Sequence, residues 1–366
     1  MANNTIPFFG LDRQYQTIKE ELLDTINTVY SSGRMLDGAY TVAFEEQIAA
    51  RCNRKYAVAV NSGTQALIFA LQSTIRHPPY SILIPTISFA ATLNSVLMNN
   101  YVADFCDVDH KGLINLDTYS TRLDQSVGAV MYVNLFGNTV DWERFQMQTK
   151  FFNQDLIVIE DAAQSFGASH RGVPSGKMGD VSILSFDPTK NLPNYGSGGM
   201  VLTDDPDIYY LVQNLRDNGK SSDHEMPGTN SKMSEVDCAQ MLVKLKHFDT
   251  WQQRRSAIAE YYIEELFKYV DIVLPTEGTT HAWHKFVIRT NNRNSLLNTL
   301  SKNFIESKMH YNKALYDLPV GNLLTFDHYV ETNQFVKQCL SLPIYPELTD
   351  SEVTRIAEVV KHYYSD

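Results

Sequence analysis

Apolar positions recur at helical spacing from Ile18 to Tyr30, where Ile18, Leu22, Ile26 and Val29 share one face; this predicts an amphipathic helix. The run Ser31-Ser-Gly-Arg-Met-Leu-Asp-Gly38 breaks it. A second helix is predicted over residues 41–51, with Val42, Ile48 and Ala49 set among Glu45, Glu46 and Gln47. Short apolar runs then alternate with helical stretches. Strands are predicted at 56–60, 82–85, 102–108, 129–134 and 156–159, and helices at 65–75, through Leu97, and at 141–152. Two more strand-type runs start at Val181 and Met200. From Leu242 through Tyr269 the pattern is mostly helical. Beyond it come strands near 272–274 and 283–289 and helices near 295–308, 332–338 and 351–364.

Strands alternating with helices predict an α/β fold with a mainly parallel sheet covered on both faces. We expect a large domain over residues 1–245, with a smaller α/β domain over 246–366. In such sheets ligands gather outside the carboxyl ends of the strands, so the residues just after each strand carry the functional information.

With 366 residues, 43% of them hydrophobic and 20% charged, the chain is long enough for two such domains and shows no repeat or low-complexity tract. A net charge of -11 without any Lys/Arg block argues against a nucleic-acid surface. The start, Met-Ala-Asn-Asn-Thr-Ile-Pro, lacks the charged and apolar regions of a secretion signal, and no apolar run approaches membrane-spanning length. The expectation is a soluble cytoplasmic protein with no membrane contact. Cys52, Cys106, Cys238 and Cys339 are far apart and form no C-x-x-C pair, which suits structural thiols. His281 and His284 have no third ligand in a recognisable spacing, and no metal site is expected.

Candidate chemistry centres on Val181-Ser-Ile-Leu-Ser-Phe-Asp-Pro-Thr-Lys190, a strand that ends in a loop bearing one lysine. Lysine amines form Schiff bases with carbonyl compounds, pyridoxal phosphate above all. Such a site also needs a carboxylate for the ring nitrogen, donors for the phosphate and a flat apolar face. All are present at strand ends. Asn61-Ser-Gly-Thr64 opens a helix, where free N–H groups and hydroxyls favour an anion, although Ser62 or Thr64 also suits a plain N-cap. Phe89 follows the second strand, with an ordinary core aromatic as the alternative. Asp161 and Gln164 follow Ile157-Val-Ile-Glu160, and Asp161 equally suits a helix N-cap. Ser185 lies at the end of the lysine-bearing strand. Gly196-Ser-Gly-Gly199 precedes a strand rather than a helix and is not a dinucleotide fingerprint.

Four segments together resemble the DegT/DnrJ/EryC1/StrS family of pyridoxal-phosphate sugar aminotransferases, of the aspartate aminotransferase fold (fold type I). They are Asn61-Ser-Gly-Thr-Gln-Ala-Leu67, Glu160-Asp-Ala-Ala-Gln-Ser-Phe-Gly-Ala168, Gly179-Asp-Val-Ser-Ile-Leu-Ser-Phe186 with Lys190, and Gly196-Ser-Gly-Gly-Met-Val-Leu-Thr203. The resemblance implies pyridoxal 5'-phosphate, cycling through pyridoxamine 5'-phosphate, as cofactor. By the same resemblance Lys190 forms the Schiff base and shuttles the proton, Asp161 faces the pyridine nitrogen, and Gln164 meets the ring oxygen. Ser62, Gly63, Thr64 and Ser185 hold the phosphate, and Phe89 covers the ring. Gly228-Thr-Asn-Ser-Lys-Met-Ser234 is similar to a family segment that reaches the neighbouring subunit's cofactor, so Asn230 implies a homodimer with shared sites.

There are departures from the family pattern. Lys232 stands where arginine is usual, keeping charge but losing the planar fork. Asn134-Leu-Phe-Gly137 replaces His-Leu-Tyr-Gly, and Asn312 replaces a proline after His310 and Tyr311, which resemble residues facing the nucleotide sugar. The implied activity is amino transfer from L-glutamate to a nucleotide-linked keto sugar. A dTDP- or UDP-4-keto-6-deoxyhexose giving the 4-amino sugar is the first expectation. The alternatives are a 3-keto sugar, for which Leu11-Asp-Arg-Gln-Tyr15 resembles the relevant members, and a non-catalytic regulator that keeps the fold.

Overall fold

The computed structural model describes residues 5–75, 81–321 and 329–365. Helices α1 (Leu11–Ser32) and α2 (Ala39–Arg51) precede β1 (Tyr56–Val60), α3 (Gly63–Thr74), β2 (Ser81–Pro85), α4 (Ala90–Met98) and β3 (Val102–Cys106). A short α5 (Leu116–Tyr119) leads to β4 (Val127–Val133), α6 (Trp142–Phe152) and β5 (Ile157–Asp161). The two-residue strands β6 (Ser169–His170) and β7 (Val173–Pro174) are followed by β8 (Val181–Ser185), β9 (Gly199–Thr203), α7 (Pro206–Arg216) and α8 (Glu235–Leu266). Then come β10 (Asp271–Ile272), β11 (Thr279–Thr280), β12 (Phe286–Arg289), α9 (Arg293–Lys302), α10 (Val330–Gln338), β13 (Cys339–Leu342) and α11 (Asp350–Ser365). Among the described residues no helix is long and apolar enough to cross a membrane.

The main sheet has seven strands in the order β1-β9-β8-β5-β4-β2-β3. Strands β8, β5, β4, β2 and β3 pair in parallel, and β9 runs antiparallel to both β1 and β8. Six strands therefore point one way. Their carboxyl ends bring Ser62, Phe89, Asp161 and Lys190 to a single edge of the sheet, as the sequence pattern predicts.

Period-2 burial explains why both faces are covered. Val58, Val60, Ile82, Ile84, Ile159 and Ile183 face a core shared with the apolar α3 and α4. Leu83, Val130 and Val158 face a second core, and Ala57, Ala59, Leu184 and Leu202 a third, against α2 and α8. A separate core of Tyr262, Phe286, Ile288, Leu340, Leu342 and Ile356 binds β12 and β13 to α8 and α11. The helix α8 runs without a break across residue 245.

Several expectations need correction. The first helix begins at Leu11 rather than Ile18, because residues 11–17 are largely polar and add little to the apolar stripe, although Gln14 is buried. In α2 the buried face is Thr41, Phe44, Ile48 and Ala49, and Val42 points out. The strand expected from Trp283 begins at Phe286, since Trp283 takes φ 48 and is not extended. Finally, α9 stops at Lys302: Phe304 turns to φ 58 and Ile305 bridges to Ile6. The residues after it form a wall of the cavity described next.

Candidate active site

A cavity of about 420 Å³ opens at the carboxyl edge of the sheet. It is lined by Ser62, Gly63, Thr64, Phe89, Asp161, Gln164, Ser185, Lys190, His310 and Tyr311, which are ten of the twelve residues predicted for the site.

The anion end is built on the start of α3. Ser62 is its N-cap, accepting the Gln65 N–H at 3.1 Å, so the plain-cap reading holds as geometry. Capping does not exhaust the site, because a helix start leaves further N–H groups without helical partners and carries the positive end of the dipole. A Cβ on Gly63 would stand 2.7 Å from the Ser185 Cβ, and one on Gly199 would stand 2.4 Å from the Ser62 carbonyl. Only glycine lets β8 and β9 press this closely on the turn, which brings Ser185 beside Ser62.

Asp161 ends β5 and is 4% exposed. Residues 163–167 form turns, so the helix-cap alternative does not occur. Its Oδ1 accepts the Ala163 N–H at 3.1 Å and its Oδ2 accepts the Thr92 hydroxyl at 3.0 Å. Among the described residues no basic side chain pairs with it directly. Burial pushes its carboxyl above the usual range, opposed by the Ala163 N–H, the charge of Lys190 and the Thr92 hydroxyl. A buried carboxylate without a cation is suited to receive one.

Lys190 sits in a turn after β8, its N–H donated to the Asp187 carbonyl at 2.9 Å. Burial lowers its pKa, with Asp161 and Asp187 pulling the other way. That is the direction needed for an amine acting as nucleophile and base near neutral pH. Phe89, 57% exposed on the cavity wall, offers a flat face on which no aromatic ring among the described residues is stacked.

Gln164 accepts the Phe136 N–H on Oε1 and donates from Nε2 to the Tyr311 hydroxyl, both at 3.1 Å. His310 shares a hydrogen bond with Ser341 at 2.9 Å, and burial next to Lys285, Lys308 and Lys190 lowers its pKa to about 3. Asn134 lies beneath the site, donating to Glu160 at 2.8 Å and accepting the Val140 N–H at 3.0 Å. Its place is structural.

Asn230 and Lys232 lie outside this cavity. Asn230 is exposed and bridges to Asp217, whose carboxylate also holds the Lys232 ammonium. Sequence reasoning missed His284, Lys285, Lys308, Phe8 and Phe9, all on the cavity wall. Asn191 donates to the Ala282 carbonyl, which orients its amide, and its Oδ1 faces Nδ1 of the buried His284 at 3.1 Å. That fixes the proton on Nδ1 and leaves Nε2 as an acceptor. His281 accepts the Trp283 N–H at 2.8 Å. The family-like segment around Trp283 could have flagged His284, but nothing marks Phe8, which is seated by the pairing of Ile6 with Ile305 and by its own N–H donated to Glu306.

The model of the DegT/DnrJ/EryC1/StrS aminotransferase family matches residues 16–361. The chain belongs to this family. One relative, the dTDP-3-amino-3,4,6-trideoxy-alpha-D-glucose transaminase of Streptomyces venezuelae, is 31% identical over 98% of this chain and 96% of its own. A "pleiotropic regulatory protein" of Geobacillus stearothermophilus is also 31% identical, over 98% and 99%. The crystal structure of S. venezuelae DesV in complex with a ketimine intermediate superposes with a TM-score of 0.95 at 29% identity, covering 99% of both chains.

As a DegT/DnrJ/EryC1/StrS member the protein is a sugar aminotransferase that works with pyridoxal phosphate. The residues present fit that cofactor: hydroxyls and N–H groups at the start of α3, a buried carboxylate without a cation, an open aromatic face and a lysine lowered in pKa.

Proposed function

We propose that the protein transfers the amino group of L-glutamate to the C3 ketone of a nucleotide-linked deoxysugar, giving the 3-amino sugar and 2-oxoglutarate. The meeting of Lys190 and Asp161 in one cavity, beside the hydroxyls of Ser62 and Ser185, carries the transferase part. The C3 position is supported by the S. venezuelae relative, whose name specifies a 3-amino product, and by Leu11-Asp-Arg-Gln-Tyr15. In this proposal C3 replaces the C4 ketone first expected.

When bound, pyridoxal phosphate supplies an electron sink for the carbon losing or gaining the amine. Ser62, Thr64 and Ser185 with the α3 N–H groups would hold its phosphate, Phe89 would cover a face of the ring, and Asp161 would keep the ring nitrogen protonated. Lys190 Nζ would remove a proton from the donor carbon in the first half-reaction and deliver one to the sugar carbon in the second, and the downward direction of its pKa favours the neutral amine this needs. Gln164 and Tyr311, joined to each other, fix another part of the cavity wall.

A second copy completes the proposal. Asn230 is exposed and away from its own cavity, in keeping with a role in the neighbouring subunit's site. Cytoplasmic location, also part of it, is supported by four buried free cysteines.

The test is absorbance of the loaded protein. Glutamate should remove the visible band of the lysine-bound cofactor, and a dTDP-3-keto-6-deoxyhexose should restore it. Restoration by the 4-keto isomer alone would move the position to C4. Failure of glutamate to change the band would leave the regulator reading favoured by the G. stearothermophilus relative. Mixing Lys190→Ala and Asn230→Ala chains should regain activity if the sites are shared.

A further inference from the structure

The cavity wall carries two lysines to which the proton and cofactor chemistry above gives no role. Lys285 Nζ lies 5.1 Å and Lys308 Nζ 5.2 Å from the centroid of the buried Phe8 ring, and Lys308 is also 5.1 Å from that of Phe9. Phe8 is held there by its N–H, donated to Glu306 at 2.9 Å. Among the described residues neither ammonium has a hydrogen-bond acceptor or a carboxylate partner.

Ring faces attract ammonium groups, but a ring supplies no counter-charge. Burial, together with the charges of Lys190, Arg255 and Lys308, holds Lys285 well below the usual lysine range, and Asp187 pulls the other way. A cluster of like charges at a cavity wall is costly until an anion enters it. Lys285 and Lys308 line the same cavity as Lys190 but stand on other segments than the start of α3, so the anion they would take is distinct from the cofactor phosphate.

Resting on the aminotransferase reading above, we infer that Lys285 and Lys308 form a carboxylate-binding pair that determines specificity. The carboxylate comes from the amino donor, from an acid group on the acceptor's sugar ring, or from each in its own half-reaction, since donor and acceptor use the same cavity in turn.

Calorimetry on the holoenzyme tests this with three probes: glutarate, UDP-glucuronate and UDP-glucose. Charge-assisted hydrogen bonds predict that Lys285→Met weakens carboxylate binding roughly tenfold or more, and Lys308→Met less, because Lys308 is exposed. Lys285→Arg should restore most of it. Loss of glutarate binding assigns the pair to the donor. Loss of the preference for UDP-glucuronate over UDP-glucose assigns it to the sugar acid. Equal loss of both nucleotide sugars with glutarate unaffected would mean the lysines serve the diphosphate and would overturn the inference, as would no change with any probe. Cofactor conversion by glutamate in the unmodified enzyme is followed alongside. Its failure removes the aminotransferase reading, whereas normal conversion with unchanged probe binding removes only the carboxylate pair.

Discussion

Thr92 donates its hydroxyl to Oδ2 of Asp161 at 3.0 Å, from the first turns of α4 to the end of β5. This contact holds the carboxylate in one orientation. Asp161→Asn should therefore cost more turnover than Thr92→Val, which leaves the charge and loses one charge-assisted bond, a loss of roughly tenfold. Steady-state rates for the two variants, with melting temperatures close to the parent, check the order. Equal activity of Asp161→Asn and parent would reduce Asp161 to a turn-forming residue.

Removing the amine is a harsher change. Lys190→Ala should lower turnover by at least about a hundred- to ten-thousand-fold while still binding cofactor, because a positioned proton-transfer group contributes on that scale. Single-turnover kinetics and the missing visible band report it together. Full activity in this variant would sink the assignment.

How much of this was legible in advance differs from element to element. The strand-end residues Ser62, Asp161 and Lys190 could be read from sequence because local patterns create them: a strand, a turn, and a polar group at its lip. Phe8 and Lys308 could not, since they reach the cavity through non-local contacts, such as the Ile6 N–H donated to the Phe304 carbonyl at 2.8 Å. Val42 was misplaced for another reason. Its position fits helical periodicity, but Phe44 takes the buried face of α2. The strand β13 escaped notice because Cys-Leu-Ser-Leu is too short to show a period before β12 pairs with it.

Glu235 ties two helices together. From the first turn of α8 its 2% exposed carboxylate accepts the N–H groups of Gly38 at 2.9 Å, Tyr40 at 3.1 Å and Thr41 at 2.7 Å, at the start of α2. Glu235→Ala leaves those donors buried and should destabilise the fold by about 2–3 kcal/mol, while Glu235→Gln recovers part. Denaturant midpoints at constant m-value measure both.

Acid should destabilise the protein through His281. Burial lowers its pKa from 6.5 to about 3, so between those values the unfolded chain holds a proton that the folded chain does not. Stability then rises with pH across this window and is lost on acidification, at about 1.4 kcal/mol per pH unit for one such group. His281→Asn, which keeps an acceptor for the Trp283 N–H, should flatten the slope between pH 6.5 and 5. An unchanged slope would show that His281 titrates normally.

The ladder joining Ile6 to Phe304 and Glu306 sets a schedule as well as a shape. During synthesis Phe8 leaves the ribosome almost three hundred residues before the segment that seats it. Until that late segment arrives, the cavity lacks one of the walls that bury Lys190. The amine therefore gains its lowered pKa only as the selecting wall closes over it. Reactivity and selectivity mature together.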